Sequence, residues 1–309
     1  MRAFVASPET GDLTRLAEVA EPNPTSDQAL VAVQAFSLNR PDYLYLAAPG
    51  STFRPGIDAV GRVLAPAANG SGPDEGSLVV VHSPSGGAAA ERLAVSTAQL
   101  AVVPDGLDPA TAASLPLGGL VARRLLSRLG ELAGQRLVAT GVGGGVGQFL
   151  VQLAVAGGAE ITAVAARSEP FEHLPALGAK VVHDPAELPD ATFDAVLESV
   201  GGQLASDVAS KLRTGGTFLW FGQAGGEPIT LDFFRLFSGG QSLTLHHFVY
   251  SDGVEGGDGA ELETLVALAA SGDLRAEIGY RGSWNDTPAV LQRLGAGRLS
   301  GKAVLNVTH

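Results

Sequence analysis

Gly141, Gly144 and Gly147 stand three residues apart, directly after the apolar run Leu137-Val-Ala-Thr140 and directly before a segment in which Val146, Leu150, Leu153 and Ala154 recur at helical spacing. Strand, glycine turn and helix in that order can cradle a dinucleotide pyrophosphate. Glycines let the backbone approach the phosphates, and the helix N-terminus offers N–H donors and the positive end of its dipole. Gly145 and Val146 complete the turn. The strict Gly-x-Gly-x-x-Gly spacing is not met, because Val142 stands where its first glycine would fall. The alternative is an ordinary tight turn in a chain with 41 glycines.

In folds that bind NAD, an acidic residue about 20 positions past the turn holds the ribose 2′-OH. Here that count from Gly147 lands on Arg167, followed by Ser168. A guanidinium and a hydroxyl suit a 2′-phosphate, so the pair points to NADPH. The competing reading of Arg167 is a solvated arginine after a strand.

These residues need elements to position them. Up to about residue 116 the chain holds short β-like runs broken by Gly and Pro, namely Ala29–Phe36, Ala59–Leu64, Leu78–His82 and Arg92–Val95. That texture suggests a barrel-like or mixed β domain. From about 117 strands alternate with helical stretches. Arg136–Thr140, Ile161–Ala166, Lys180–His183, Phe193–Glu198 and Thr217–Phe221 read as buried parallel strands joined by crossovers. Helices follow at Leu262–Ala270 and Thr287–Leu294, then a strand at Ala303–Val307. The expected division is 1–116, 117–270 and 271–309.

Composition narrows the function. A net charge of −12, with no basic run, disfavours nucleic acid as a partner. The chain has no cysteine, which removes disulfides, thiolate catalysis and cysteine-ligated metals. No apolar run approaches the roughly 20 residues that span a bilayer, and no secretory signal is visible. A soluble cytoplasmic protein with no membrane partner is the expectation.

Several further segments carry a resemblance. Ser37-Leu-Asn39-Arg-Pro-Asp42, Pro55-Gly-Ile-Asp58-Ala-Val-Gly61, Phe193 to Gly202, Gly215 to Gly222 and Gly301-Lys302-Ala-Val-Leu resemble, in order and spacing, the medium-chain dehydrogenase/reductases. The likeness is to their zinc-free quinone oxidoreductase branch, related to zeta-crystallin, and covers nearly the whole chain. It implies an α/β chain: a Rossmann doubly wound parallel-sheet domain plus a GroES-like, mainly β catalytic domain that the C-terminal segment completes.

The resemblance also implies site residues. Asn39 would donate from its amide to the acceptor oxygen, and Tyr43 or Tyr45 would give a proton or a hydrogen bond. Leu44 stands where many relatives have a tyrosine, so that role has either moved to a neighbour or been lost, with water as the proton source. Ser199, Gly222, Phe248, Val249 and Lys302 would meet the cofactor, although Lys302 reads equally well as a surface lysine. Asp42 has two readings, catalytic or turn-capping. Phe233, Phe234 and Phe237 read as core or as lining of an acceptor pocket. Zinc dehydrogenases of the superfamily carry a Cys near Asn39 and a His at the position of Ile57, so no metal is expected. The implied activity is NADPH-dependent reduction of a quinone or enone. An enoyl-thioester reductase and a non-catalytic NADPH-binding protein are the alternatives. A homodimer is a further implication, with Ser242–Tyr250 as its edge.

Overall fold

The computed structural model describes residues 1–7, 12–167, 172–250 and 256–308. Two compact units emerge: residues 1–120 with 254–309, and residues 121–253.

The first unit opens with a hairpin of β1 (Arg2–Ala6) and β2 (Thr14–Glu18). Next come the long strand β3 (Gln28–Leu38), helix α1 (Arg40–Ala47), and strands β4 (Asp58–Ala65), β5 (Leu78–His82), β6 (Arg92–Ser96) and β7 (Leu100–Val102). Along β3, Ala29, Val31, Val33 and Ala35 point inward at every second position, the period that puts one face of a strand into a core. Helices α2 (Pro109–Ser114) and α3 (Pro116–Ser127) close this part, and the division between units falls inside α3.

The second unit holds β8 (Arg136–Thr140), α4 (Gly147–Ala156), β9 (Glu160–Val164), β10 (Lys180–Val182), β11 (Phe193–Glu198), α5 (Gly202–Ala209), β12 (Leu212–Trp220), α6 (Phe233–Ser238) and β13 (Leu243–His247). Its six strands are all parallel, in the order β10-β9-β8-β11-β12-β13. The chain moves outward from β8 in one direction and then from β11 in the other. The direction therefore reverses between β8 and β11, where ligands of open α/β sheets bind. Leu137, Val138 and Ala139 are all buried, as expected of a strand covered on both faces. Val138, Val196, Phe193 and Phe218 share one core.

The chain then returns to the first unit with α7 (Gly259–Ser271), β14 (Ile278–Ser283), α8 (Thr287–Gly295) and β15 (Lys302–Asn306). Strand β15 pairs antiparallel with β3, giving a seven-stranded sheet. Phe36, Leu46, Trp284, Val290 and Leu291 pack in a single core, so the C-terminal segment completes this unit.

One boundary departs from the sequence expectation. The second unit ends at 253, not 270, because α7 belongs to the first. Leu262 and Leu265 of α7 are fully buried, and Leu265 lies over Gly119, where an added Cβ would meet its Cδ1 at 2.7 Å. Just before α7, the buried Asp258 pairs with His82 of β5 at 2.6 Å.

Candidate functional site

In the second unit the glycine turn leaves the end of β8 beside the ends of β11 and β12. Gly141 has φ +62°, a left-handed conformation, and a Cβ there would lie 2.4 Å from Ser199 Oγ. Gly147 opens α4 against the backbone of Val142, where a Cβ would come within 2.2 Å. Gly144 differs from both. The nearest protein atom to a Cβ there is 3.5 Å away, so the fold itself does not require glycine. Its open face is what a close-approaching phosphate would need. Gly145 and Val146 are half-buried in the same turn.

The neighbouring strand end is pinned to this turn by hydrogen bonds. Ser199 N donates to Thr140 Oγ1 at 3.0 Å, and Ser199 Oγ donates to Thr140 O at 3.1 Å. Thr140 Oγ1 donates to Glu198 Oε1 at 3.2 Å, which also accepts from the amides of Val200 (2.7 Å) and Gly201 (2.9 Å). Glu198 is fully buried, and its Oε2 has no partner among the described residues. Burial raises its pKa above the usual carboxylate range, against the opposing pull of those amides.

Gly222 sits against Ser199, a Cβ there falling 3.0 Å from Ser199 Cβ. Gly141, Ser199 and Gly222 are thus brought together at three strand ends. Phe248 is buried, its N–H donating to Trp220 O at 2.8 Å, whereas Val249 is exposed. Arg167 is exposed three residues past the end of β9, which is the strand paired with β8. Ser168 lies outside the described residues. Phe233, Phe234 and Phe237 are 70%, 77% and 71% exposed on α6, so the core reading of these rings does not hold. They stack mainly on each other, Phe233 edge-on to Phe234 at 5.5 Å and parallel to Phe237 at 5.9 Å.

The first unit holds the other candidates around a buried carboxylate. Asp58 Oδ2 accepts from Asn39 Nδ2 (2.9 Å), Lys302 Nζ (3.0 Å) and Ser37 Oγ (3.2 Å), while Oδ1 accepts from Leu117 N (2.9 Å). Lys302 also donates to Asn39 Oδ1. It is 1% exposed, which overturns the surface-lysine reading and commits its ammonium to Asn39 and Asp58. Asn39 itself is buried, with both ends of its amide engaged.

Asp42 takes the capping role. Its Oδ2 accepts from Asn39 N at 2.7 Å, closing the first turn of α1, and its Oδ1 accepts from Gly56 N at 2.8 Å. Tyr43 packs into the core against α8, so closely that a Cβ on Gly295 would meet its ring at 2.3 Å. Tyr45, by contrast, is half exposed, its ring edge-on to Phe53 at 5.1 Å. Of the two tyrosines, Tyr43 is partly buried and Tyr45 is the more exposed. Among the described residues no group of three or more His, Asp or Glu is placed to hold a metal ion.

The second unit is a six-stranded parallel sheet with a glycine turn at its reversal point, and the first is a mainly antiparallel unit completed by the C-terminal segment; each has the architecture expected of the two-unit dehydrogenases. The comparisons agree with this. Residues 145–271 match the zinc-binding dehydrogenase family. The 2-methylene-furan-3-one reductase of Solanum lycopersicum is 28% identical over 313 residues, spanning 93% of this chain and 74% of that protein. The mitochondrial enoyl-[acyl-carrier-protein] reductase of Arabidopsis thaliana is 26% identical over 279 residues, 84% of this chain and 74% of that one. The Escherichia coli quinone oxidoreductase complexed with NADPH superposes with a TM-score of 0.84 at 20% identity, over 99% and 100% of the two chains. In sequence the chain is similar to these reductases over most of its length, and its fold is the one that the quinone oxidoreductase structures share.

Two outcomes follow from this geometry. Gly147→Ala forces a carbon into the Val142 backbone and should cost about 1–3 kcal/mol, whereas Gly144→Ala should stay within about 0.5 kcal/mol of wild type in urea unfolding. Equal losses would contradict the difference between the two positions. The second concerns Asp42, whose pKa is pushed up to about 7 by burial and by nearby Asp58, from an ordinary value near 3.8. The folded state then holds the extra proton between those values. Its stabilising share is complete below pH 3.8 and is lost as pH rises through 7, at a slope of at most about 1.4 kcal/mol per pH unit. Urea midpoints should show wild type losing stability relative to Asp42→Asn across pH 4–7. A difference independent of pH would contradict the shift.

Proposed function

We propose that the chain is an NADPH-dependent, zinc-independent reductase of quinones or α,β-unsaturated carbonyl compounds. The observation that carries this is Gly144, whose open face at the end of β8 has no explanation in protein packing. The turn fits a dinucleotide. Gly141, Gly144, Gly145, Val146 and Gly147 would hold the pyrophosphate, with the N-terminus of the ten-residue α4 behind them. Arg167 would hold the 2′-phosphate, and Ser199, Gly222, Phe248 and Val249 would flank the remainder. NADPH, when bound, supplies the hydride. The NADPH complex of the Escherichia coli neighbour supports this choice of nucleotide, and the furanone reductase supports an activated, conjugated acceptor. Such an acceptor provides its own electron sink, so the protein needs only to orient it and stabilise the oxyanion. The Asn39 amide, fixed in place by Asp58 and Lys302, would serve that task through its second N–H.

A second reading is an enoyl-thioester reductase, favoured by the likeness to the Arabidopsis thaliana protein. Turnover of crotonyl-coenzyme A in preference to 1,4-benzoquinone would select it, and NADPH binding without turnover of any acceptor would select a non-catalytic role. For the nucleotide, NADPH at a hundred times its Kd should stabilise the protein by about 2.7 kcal/mol, read as a rise in Tm larger than that given by NADH. Arg167→Ala should weaken NADPH about tenfold and leave NADH nearly unchanged. Gly144→Ala should weaken both without lowering Tm. No shift with either nucleotide would refute the nucleotide assignment, and equal loss of both in Arg167→Ala would refute the role of Arg167.

We also propose a homodimer. Strand β13 is an edge of the parallel sheet, paired only with β12 among the described residues, and exposes Leu245, while α6 exposes three phenylalanines. An open strand edge and bare aromatic area are features that a second copy would cover. Sedimentation at micromolar concentration should give a dimer that Phe233→Asp/Phe237→Asp converts to monomer. A wild-type monomer would contradict it.

A further inference from the structure

In the first unit, the end of α1, the segment 48–54, the loop 85–87 and the start of β6 wall an open cavity of about 770 Å³. Two arginines line it, Arg54 and Arg92, and among the described residues no aspartate or glutamate does. Arg92 is neutralised by Glu21, whose two carboxylate oxygens each lie 2.7 Å from its Nη1. Arg54 is not neutralised. Among the described residues its side chain makes no hydrogen bond or ion pair, and its Nε is shut off from solvent with no acceptor. The guanidinium is half-buried, and burial draws its pKa below the usual arginine value. A cation half out of water with no counter-charge is costly.

The arginine is also held in place. Gly87 N donates to Arg54 O at 2.8 Å, and Ser83 Oγ donates to Gly86 O at 2.7 Å. Gly86, at φ +76°, presses so closely that a Cβ would lie 2.1 Å from Arg54 O and 2.6 Å from the Phe53 ring. Tyr45 and Phe53, edge to face, supply an aromatic wall to the same cavity. The volume lies within the range of small-molecule sites.

We propose that this cavity binds a small molecule carrying one oxyanion, a carboxylate or a phosphate, on a flat apolar body. The guanidinium fork of Arg54 takes the anion in charge-assisted hydrogen bonds, and the body lies against Tyr45 and Phe53. The site is contained in the first unit and requires neither the nucleotide nor the acceptor proposed above. It can therefore fail or hold independently of them.

The test is calorimetric titration of the full chain, without nucleotide, with benzoate, phenyl phosphate and benzamide. The last is the uncharged counterpart of the first. At least one of the anions should bind ten or more times more tightly than benzamide, and the tighter of the two identifies the oxyanion. Arg54→Met should abolish that preference, and Arg54→Lys should keep part of it, since a point charge replaces a planar fork. The proposal is overturned if neither anion binds more tightly than benzamide in wild type, a comparison that depends on no variant. It is equally overturned if Arg54→Met binds the anion as wild type does.

Discussion

One hydroxyl, that of Thr140, holds the ends of β8 and β11 together where the strand order of the parallel sheet reverses. It accepts from the amide of Ser199 and donates to Glu198, whose carboxyl in turn gathers two further amides. A sheet reversal necessarily opens a crevice, because the two crossovers leave on opposite sides. Pinning both strand ends fixes the walls of that crevice before any ligand arrives. Gly141 and Gly222 pack against Ser199 from either side, so the turn and the next strand end are set by the same residue. Burying Glu198 is expensive, and the amides offset only part of that cost. The rise in its pKa is the sign of what remains.

The first unit solves a different problem with the same device. Asp58 joins β3, α1, α3 and β15 through four donors. A buried ion pair of this kind adds little net stability over an apolar core, but removal of one partner strands the other. Its effect is to specify position. Lys302 brings the C-terminal strand into register beside β3, and the same contact orients the Asn39 amide. Asp42 then fixes the start of α1 against Gly56. The residues that would meet the acceptor are thus held by charge and hydrogen bonds between segments more than 200 residues apart in sequence.

Much of the frame is legible in the chain, for physical reasons. Strands β8 and β11 are each built on a short apolar run, Leu137–Ala139 and Ala195–Leu197, and their observed limits match the expected ones. The glycine turn is readable because two of its glycines are required by the backbone itself. Strand β12 starts at Leu212, five residues earlier than its apolar run suggests, since Gly215 and Gly216 hide a strand that continues through them. Helix α7 is visible as a helix, but its apolar face would suit either unit. Only its packing on Gly119 and the Asp258–His82 pair assign it. Spacing along α1 cannot tell Tyr43 from Tyr45, because the choice depends on where α8 lies. The three phenylalanines of α6 read as core on their hydrophobicity and prove exposed. Thr140, Glu198 and Arg54 carry no local signal, as their partners, or the lack of them, are set by distant segments.

The proposed chemistry passes a hydride from NADPH to a conjugated acceptor. Incubation with 2-cyclohexenone and NADPH deuterated at C4 tests it most directly. Mass spectrometry and NMR of the product should find one deuterium on the carbon β to the carbonyl, delivered from a single face of the nicotinamide. Product lacking deuterium from both C4-labelled forms of NADPH, or nucleotide bound with no acceptor reduced, would contradict it.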